Sequence, residues 1–299
     1  MKDLQHVEHL TPAERADRGK AARKRVPRTS QAYFDPPSDR PDPVSLLESQ
    51  SATRLQQLIP IRYGRMMQTA FTFYRGAALV MAADLAETPN SGLSVQACGD
   101  AHLMNFGAFA SPERALVFDI NDFDETNPGP WEWDLKRLTA SLEVAARDRG
   151  FTDPERRVIL LAATKQYRDS MANFAGMPQL EIWYARLDIE TLVENFAKQA
   201  SKTGVKRARR QIAKAQTRDS VQAFSKFTQV VDGERRIVSS PPLIVNVRDL
   251  MQQEGVDGDQ VIETIGSVLR SYRSTLQFDR RHLLEQFEFT DLALKVVGV

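Results

Sequence analysis

Two short apolar runs most constrain how this chain can fold. They are "LSVQACGD" (Leu93–Asp100) and "ALVFDIND" (Ala115–Asp122), each bounded by turn residues. Such runs read as strands. Most of what surrounds them has the three- and four-residue apolar spacing of helix. A few short strands among many helices predict an α+β, mostly helical chain. Each strand also opens into a polar loop.

The helical segments are read as follows. After Pro60 one helix carries Met66, Phe73, Ala77, Val80, Met81 and Leu85. Another runs from Trp133 to Arg149 with Leu135, Leu138 and Leu142 on one side, and Gly150 stops it. "TDPERR" opens a third, with Asp153 as expected N-cap and Pro154 at the first helical position. Residues 187 to about 227 read as helix throughout, and their basic part "KRARRQIAKAQTR" reads as a solvated face. "QVVDGERRIV" is a hairpin with Asp232-Gly233 at its turn, and "PPLIVNV" is a further strand. "DQVIETIGSVLRSYRSTLQFDRRHLLEQF" reads as one long helix, and "LALKVVGV" as a strand that has only just begun.

Domain organisation is expected to be simple. Residues 1 to 50 read as an irregular arm, because "GKAARKRVPRTS" is basic and "FDPPSDRPDPVS" carries four prolines. Residues 51–299 are expected to form one domain. The 299 residues carry a net charge of +1, so whole-molecule electrostatics do not point to nucleic acid. No stretch approaches the roughly 20 apolar residues of a membrane span. One cysteine, Cys98, excludes an internal disulfide. The expected compartment is a reducing cytoplasm.

The two loops carry the chemistry. In "CGDAHLMNFG" (Cys98–Gly107), Asp100 and Asn105 stand five apart after a strand. That is the Asp-to-Asn spacing of a kinase catalytic loop, where Asp accepts a substrate hydroxyl proton and Asn holds magnesium. Gly99 and Gly107 permit a tight backbone at either end. His102 is expected to order the loop. The second strand delivers Asp119, Asn121, Asp122, Asp124 and Glu125. Four carboxylates in seven positions repel one another unless cations or donors offset them. A metal-binding Asp at the end of the following strand completes the kinase arrangement, so Asp119, Asp122 and Asp124 are candidate metal ligands beside Asn105. Asp134 is expected as a supporting carboxylate at a helix start. Arg62, Arg65 and Arg75 lie on an otherwise apolar helical segment. At least one is expected to meet the acidic cluster or a phosphate, since a buried guanidinium needs an anion.

Together "PIRYGRM", "FYRGAA", "CGDAHLMNFG", "FDINDFDET" and "PGPWEWDLKRL" resemble the bacterial family called domain of unknown function 2252, from about Pro27 to the C-terminus. In its loops that family is similar to aminoglycoside-phosphotransferase-type kinases, whose signature is GDxHxxN, a strand-end Asp and a later Asp-Leu. The resemblance implies a core like the C-terminal lobe of a protein kinase, with short strands carrying the catalytic and metal loops. It implies Asp100 as catalytic residue, Asn105 as metal ligand, and Asp134-Leu135 as the later pair. Counting from Asn105 favours Asp119 as the strand-end acid; counting back from Asp134 favours Asp122, which the following Phe also favours. Implied cofactors are Mg²⁺ and ATP, and the implied partner is a hydroxyl-bearing substrate.

Kinases also need a glycine-rich loop and a strand lysine, which normally precede the catalytic loop. Residues 1–99 contain neither. In the family a glycine-rich segment and a lysine follow the catalytic part, and "KVVGV" looks like its first residues. The expectation is therefore a chain truncated before its nucleotide-gripping part, with weak ATP binding and an apolar edge at "LALKVVGV". Two other readings stand beside this one. One is a non-catalytic binding protein or inactive fragment. The other is a metal-dependent phosphoesterase, since "GDAH" is similar to motifs of that class, although His6, His9 and His282 lie in no matching setting.

Overall fold

A computed structural model describes residues 9–296 apart from 114, 198–202, 207–209, 211, 213–219, 232 and 254. Most of the predicted basic face between 206 and 218, Asp232 and the last three residues lie outside the described residues. The fold is α+β and mostly helical, and the described residues form four separate two-stranded antiparallel sheets. It divides into two compact units, Met1–Val205 and Lys206–Val299.

In the first unit the expected arm contains regular structure. Helix α1 (Pro12–Arg25) starts at a capping box between Thr11 and Glu14, with Pro12 in its first turn. Helix α2 (Pro43–Ser51) starts at Asp42, whose carboxylate accepts the Ser45 N–H at 2.8 Å. The prolines at both helix starts occupy positions whose N–H has no helical partner, so they favour helix there instead of breaking it. Between these helices the chain is fastened by a two-pronged ion pair. Arg40 Nε and Nη2 reach the two Asp84 oxygens at 2.6 and 2.9 Å.

The predicted helix after Pro60 is three helices: α3 (Ile59–Met66), α4 (Ala70–Gly76) and α5 (Ala78–Ala86). Thr69 makes a second capping box with Thr72 and restarts the chain, so local hydroxyl chemistry overrides the apolar period. Strand β1 (Ser94–Ala97) and strand β3 (Leu116–Ile120) lie where the apolar runs predict them. Their partners do not. Strand β2 (Phe106–Ala110) follows the polar loop and pairs with β3, opposing Gly107 to Asp119. Strand β4 (Asn127–Pro130) pairs with β1, opposing Gln96 to Pro128. Helix α6 (Trp131–Asp148) follows directly, then α7 (Asp153–Ala175), whose N-cap is Thr152 rather than Asp153; Glu155 accepts the Thr152 N–H at 2.8 Å. Helices α8 (Gln179–Tyr184) and α9 (Ile189–Ala197) follow; every described residue from 189 to 227 is helical, as expected, whereas Leu187 and Asp188 are not. Its core gathers Leu47, Met66, Ala77, Leu85, Ala97, Ala101, Val117, Ala146 and Ile189.

In the second unit the predicted hairpin is present, with β5 (Thr228–Val231) paired to β6 (Glu234–Ile237) and Gly233 at φ 82° in its turn. The single long helix is replaced by Gly258–Ser274 and Phe278–Leu284. Strand β8 (Ala293–Lys295) is not left open towards β7 (Ile244–Asn246): the two pair antiparallel. Asp291, just before β8, is almost fully buried and accepts from Ile237 N, Asn246 Nδ2 and Arg248 Nη1 at 2.6, 2.7 and 2.7 Å. Asp291→Asn keeps the shape but removes the charge that Arg248 faces. It is expected to lower stability by about 1.5–3 kcal/mol, read from urea midpoints.

Candidate functional site

The polar loop is held from below by α6. Asp134 accepts the Cys98 N–H at 2.7 Å and the Gly99 N–H at 3.0 Å, one on each oxygen. One turn on, Arg137 Nε donates to Asp100 Oδ1 at 2.7 Å. A further turn on, fully buried Ser141 accepts the Leu103 N–H at 2.9 Å. Residues 134, 137 and 141 follow helical spacing, so one face of α6 fixes the loop at three points.

Arg137 is buried, and each of its other two nitrogens has a partner. Nη2 donates to the Tyr74 carbonyl at 2.8 Å, and the guanidinium lies 4.3 Å from the centre of the Tyr74 ring. The Tyr74 hydroxyl returns a bond to the Arg137 carbonyl at 2.9 Å. Sequence reasoning missed Arg137. The signal was available, because it stands three residues after Asp134 on the same helical face.

Asn105 is buried, and its amide joins the two loops. Nδ2 donates to the Asp100 and Asp122 carbonyls, both at 3.0 Å, while Oδ1 accepts the Asp122 N–H at 2.9 Å. Asn105, expected as a metal ligand, bonds backbone through its amide in this structure. Gly99, at φ 83°, lies against Glu125: a Cβ there would sit 2.8 Å from the Glu125 carbonyl carbon. At Gly107 a Cβ would overlap the Asn121 amide nitrogen. Glycine is therefore needed at position 99, where backbone meets backbone at positive φ, whereas at 107 the Asn121 side chain would have to shift.

The acidic residues divide. Asp119 lies in β3, exposed, its Oδ1 on the N–H of Ile120 at 2.8 Å. Asp122, Asp124 and Glu125 lie beyond the strand in an exposed turn, where Asp122 Oδ1 accepts the Asp124 N–H at 3.2 Å. Loss of hydration, then the charges of Asp100, Asp122 and Asp124, push the Glu125 carboxyl above its usual range. Among the described residues no group of three or more His, Cys, Asp or Glu side chains forms a metal cage.

Of the three arginines, Arg62 is half-buried, and its surroundings reach the site. Its Nη2 donates to the Gly76 carbonyl at 2.7 Å. Burial and then Arg54 lower its pKa, while Glu125 and Asp100 are among the groups that counter this. Arg65 and Arg75 are exposed, and Arg75 is close enough to disfavour protonation of His102.

His102 is buried. Its Nδ1 accepts the Met104 N–H at 3.1 Å, and Nε2 lies 3.7 Å from Asp100 Oδ2. Burial pushes its pKa below the usual value; Asp100 opposes that shift, and Arg137 and Arg75 add to it. The native state thus disfavours a proton that the unfolded chain accepts near pH 6.5. The stability this lends is present above that pH and lost as pH falls through the lower folded value. His102→Asn is expected to flatten the loss below pH 6.5, a slope of at most about 1.4 kcal/mol per pH unit, measured by denaturant titrations at several pH values.

The sequence pattern of a bacterial family described as uncharacterized proteins conserved in bacteria (DUF2252) matches residues 54–299. The chain belongs to this family. The match begins later than the resemblance near Pro27 suggested; it covers both loops, the first unit from residue 54 onward and the second unit of the DUF2252 chain. No curated protein and no solved structure matches it. No helix among its described residues is long and apolar enough to cross a membrane.

Proposed function

We propose that this DUF2252 protein is a phosphotransferase of the kinase-like kind that acts on a hydroxyl-bearing substrate, using Mg²⁺ and ATP. The observation that carries this reading is the amide of Asn105. By bonding the Asp100 carbonyl and both backbone groups of Asp122, it makes one unit of the loop bearing the candidate base and the turn bearing the carboxylates. Asp100 is the group to accept the hydroxyl proton. Arg62, on the side of Asp100 and Glu125, is the group to meet phosphate.

The fit to magnesium is of one kind. Mg²⁺ is usually held by one or two carboxylates, with water and phosphate completing its shell. The exposed Asp122 and Asp124 suit that mode, with Asp119 as the alternative; a cage made only of protein ligands does not fit. When bound, the ion offsets the negative charge of the phosphates. The short strands β1 and β3, each of which opens into one of the two loops, support the same reading, in which the core is kinase-like.

One observation favours a second reading, a non-catalytic binding protein: Arg137 already occupies one Asp100 oxygen. A single set of measurements separates the two. Mn²⁺ standing in for Mg²⁺ is followed by electron paramagnetic resonance in the presence of ATP. Asp122→Asn with Asp124→Asn is expected to weaken Mn²⁺ binding by about tenfold or more at unchanged thermal stability. Asp100→Asn is expected to bind Mn²⁺ normally and to lose about 10²- to 10⁴-fold in ATP turnover. Wild-type protein that binds no Mn²⁺ with ATP, or variants that bind it as well as wild type, would overturn the phosphotransferase reading.

A further inference from the structure

We infer that Arg137 is a positioning residue that decides which oxygen of Asp100 is free to meet a substrate; the inference rests on the phosphotransferase reading for what that oxygen does. A guanidinium is planar, so contacts in different directions fix its orientation. Arg137 has four. Nε is on Asp100 Oδ1 at 2.7 Å, Nη2 on the Tyr74 carbonyl at 2.8 Å, Nη1 at 3.7 Å from Met81 Sδ, and its plane lies against the Tyr74 ring. Its side chain is 3% exposed, so water does not compete for these bonds.

The consequence falls on the carboxylate. Oδ1 is occupied by a charge-assisted bond, which is short and directional. Among the described residues Oδ2 has no hydrogen-bond partner; His102 Nε2 faces it at 3.7 Å, beyond hydrogen-bond distance. Since His102 Nδ1 accepts the Met104 N–H, the neutral ring carries its proton on Nε2 and turns its donor side towards Oδ2. Asp100 therefore presents one oxygen, in one direction. Arg137 does this from behind, through Asp100.

Lysine at position 137 keeps the charge but cannot hold Asp100 and the Tyr74 carbonyl with one rigid fork. Arg137→Lys is therefore the informative variant. Arginine side-chain NMR of the wild type is expected to show one slowly exchanging Nε–H signal that disappears in Arg137→Lys and shifts in Asp100→Asn. With Mn²⁺-ATP, Arg137→Lys is expected to keep its dissociation constant within about twofold of wild type and to lose about tenfold or more in turnover. If the signal is absent, or indifferent to Asp100→Asn, the inference fails whatever the activity. If Arg137→Lys turns over ATP as fast as wild type, or loses binding and turnover equally, it also fails. If wild type shows the signal but turns over no ATP, the phosphotransferase reading fails while the fixed carboxylate stands.

Discussion

Gly99→Ala is expected to destabilise the first unit by more than about 3 kcal/mol, and to do so without touching a charged group. Two costs add. The backbone at φ 83° is left-handed, which an L side chain resists by about 1–2 kcal/mol. The new methyl would also overlap the Glu125 carbonyl, and backbone cannot swing aside as the end of a flexible side chain can. Relief requires the Asp122–Glu125 turn to move off the loop, which strains the Asn105 bonds that join them. The expected signature is a lowered urea midpoint, with faster amide exchange at Asp122 as well as at Cys98 and Gly99. A midpoint within about 0.5 kcal/mol of wild type would mean that the loop and the turn are not in contact.

Arg137→Met is expected to cost about 3–5 kcal/mol, because it leaves the Asp100 carboxylate without its counter-ion. Side-chain exposures of 3% for Arg137 and 13% for Asp100 leave little water to replace the lost partner. The stacking over Tyr74 and the bond to its carbonyl go as well, which loosens α4 from α6. The companion variant adds Asp100→Leu, so that both charges are gone. Apolar replacement of a whole buried pair is often close to neutral, so the double variant is expected to recover most of the loss. Losses that simply add in the double variant would show that the two side chains are not coupled, and would count against the contact itself.

Much of the fold was legible because it is written in local chemistry. Strands β1 and β3 are apolar runs with turn residues at both ends. The hairpin at Gly233 needs positive φ, which glycine supplies. Helices α6 and α7 have apolar spacing and clear starts. Other parts were hidden by the same rules. "NPGP" carries two prolines and a glycine and reads as a turn, yet it pairs with β1 as a short two-stranded sheet. A proline can join a ladder where its missing N–H is not called upon. "FGAFA" lacks the β-branched residues of a typical strand, and its pairing comes from β3. The run after Pro60 has a continuous apolar period, but Thr69 caps a new helix inside it.

For the candidate site, the sequence by itself determined which residues are close along the chain: Asp100 five before Asn105 in one loop, four acids in the next, two glycines at the first loop's ends. It thereby determined that the loops are tight and polar, and it sufficed for family membership. Only the tertiary structure decided what each side chain does. It turned Asn105 inward to join two loops, gave Asp134 to the Cys98 and Gly99 amides, and set Arg137 against Asp100 across 37 positions of chain. The reason is physical. Spacing governs contacts within a turn or a helix face, whereas a buried amide or charge must find its partner wherever packing brings one, and the penalty for finding none is set by lost water.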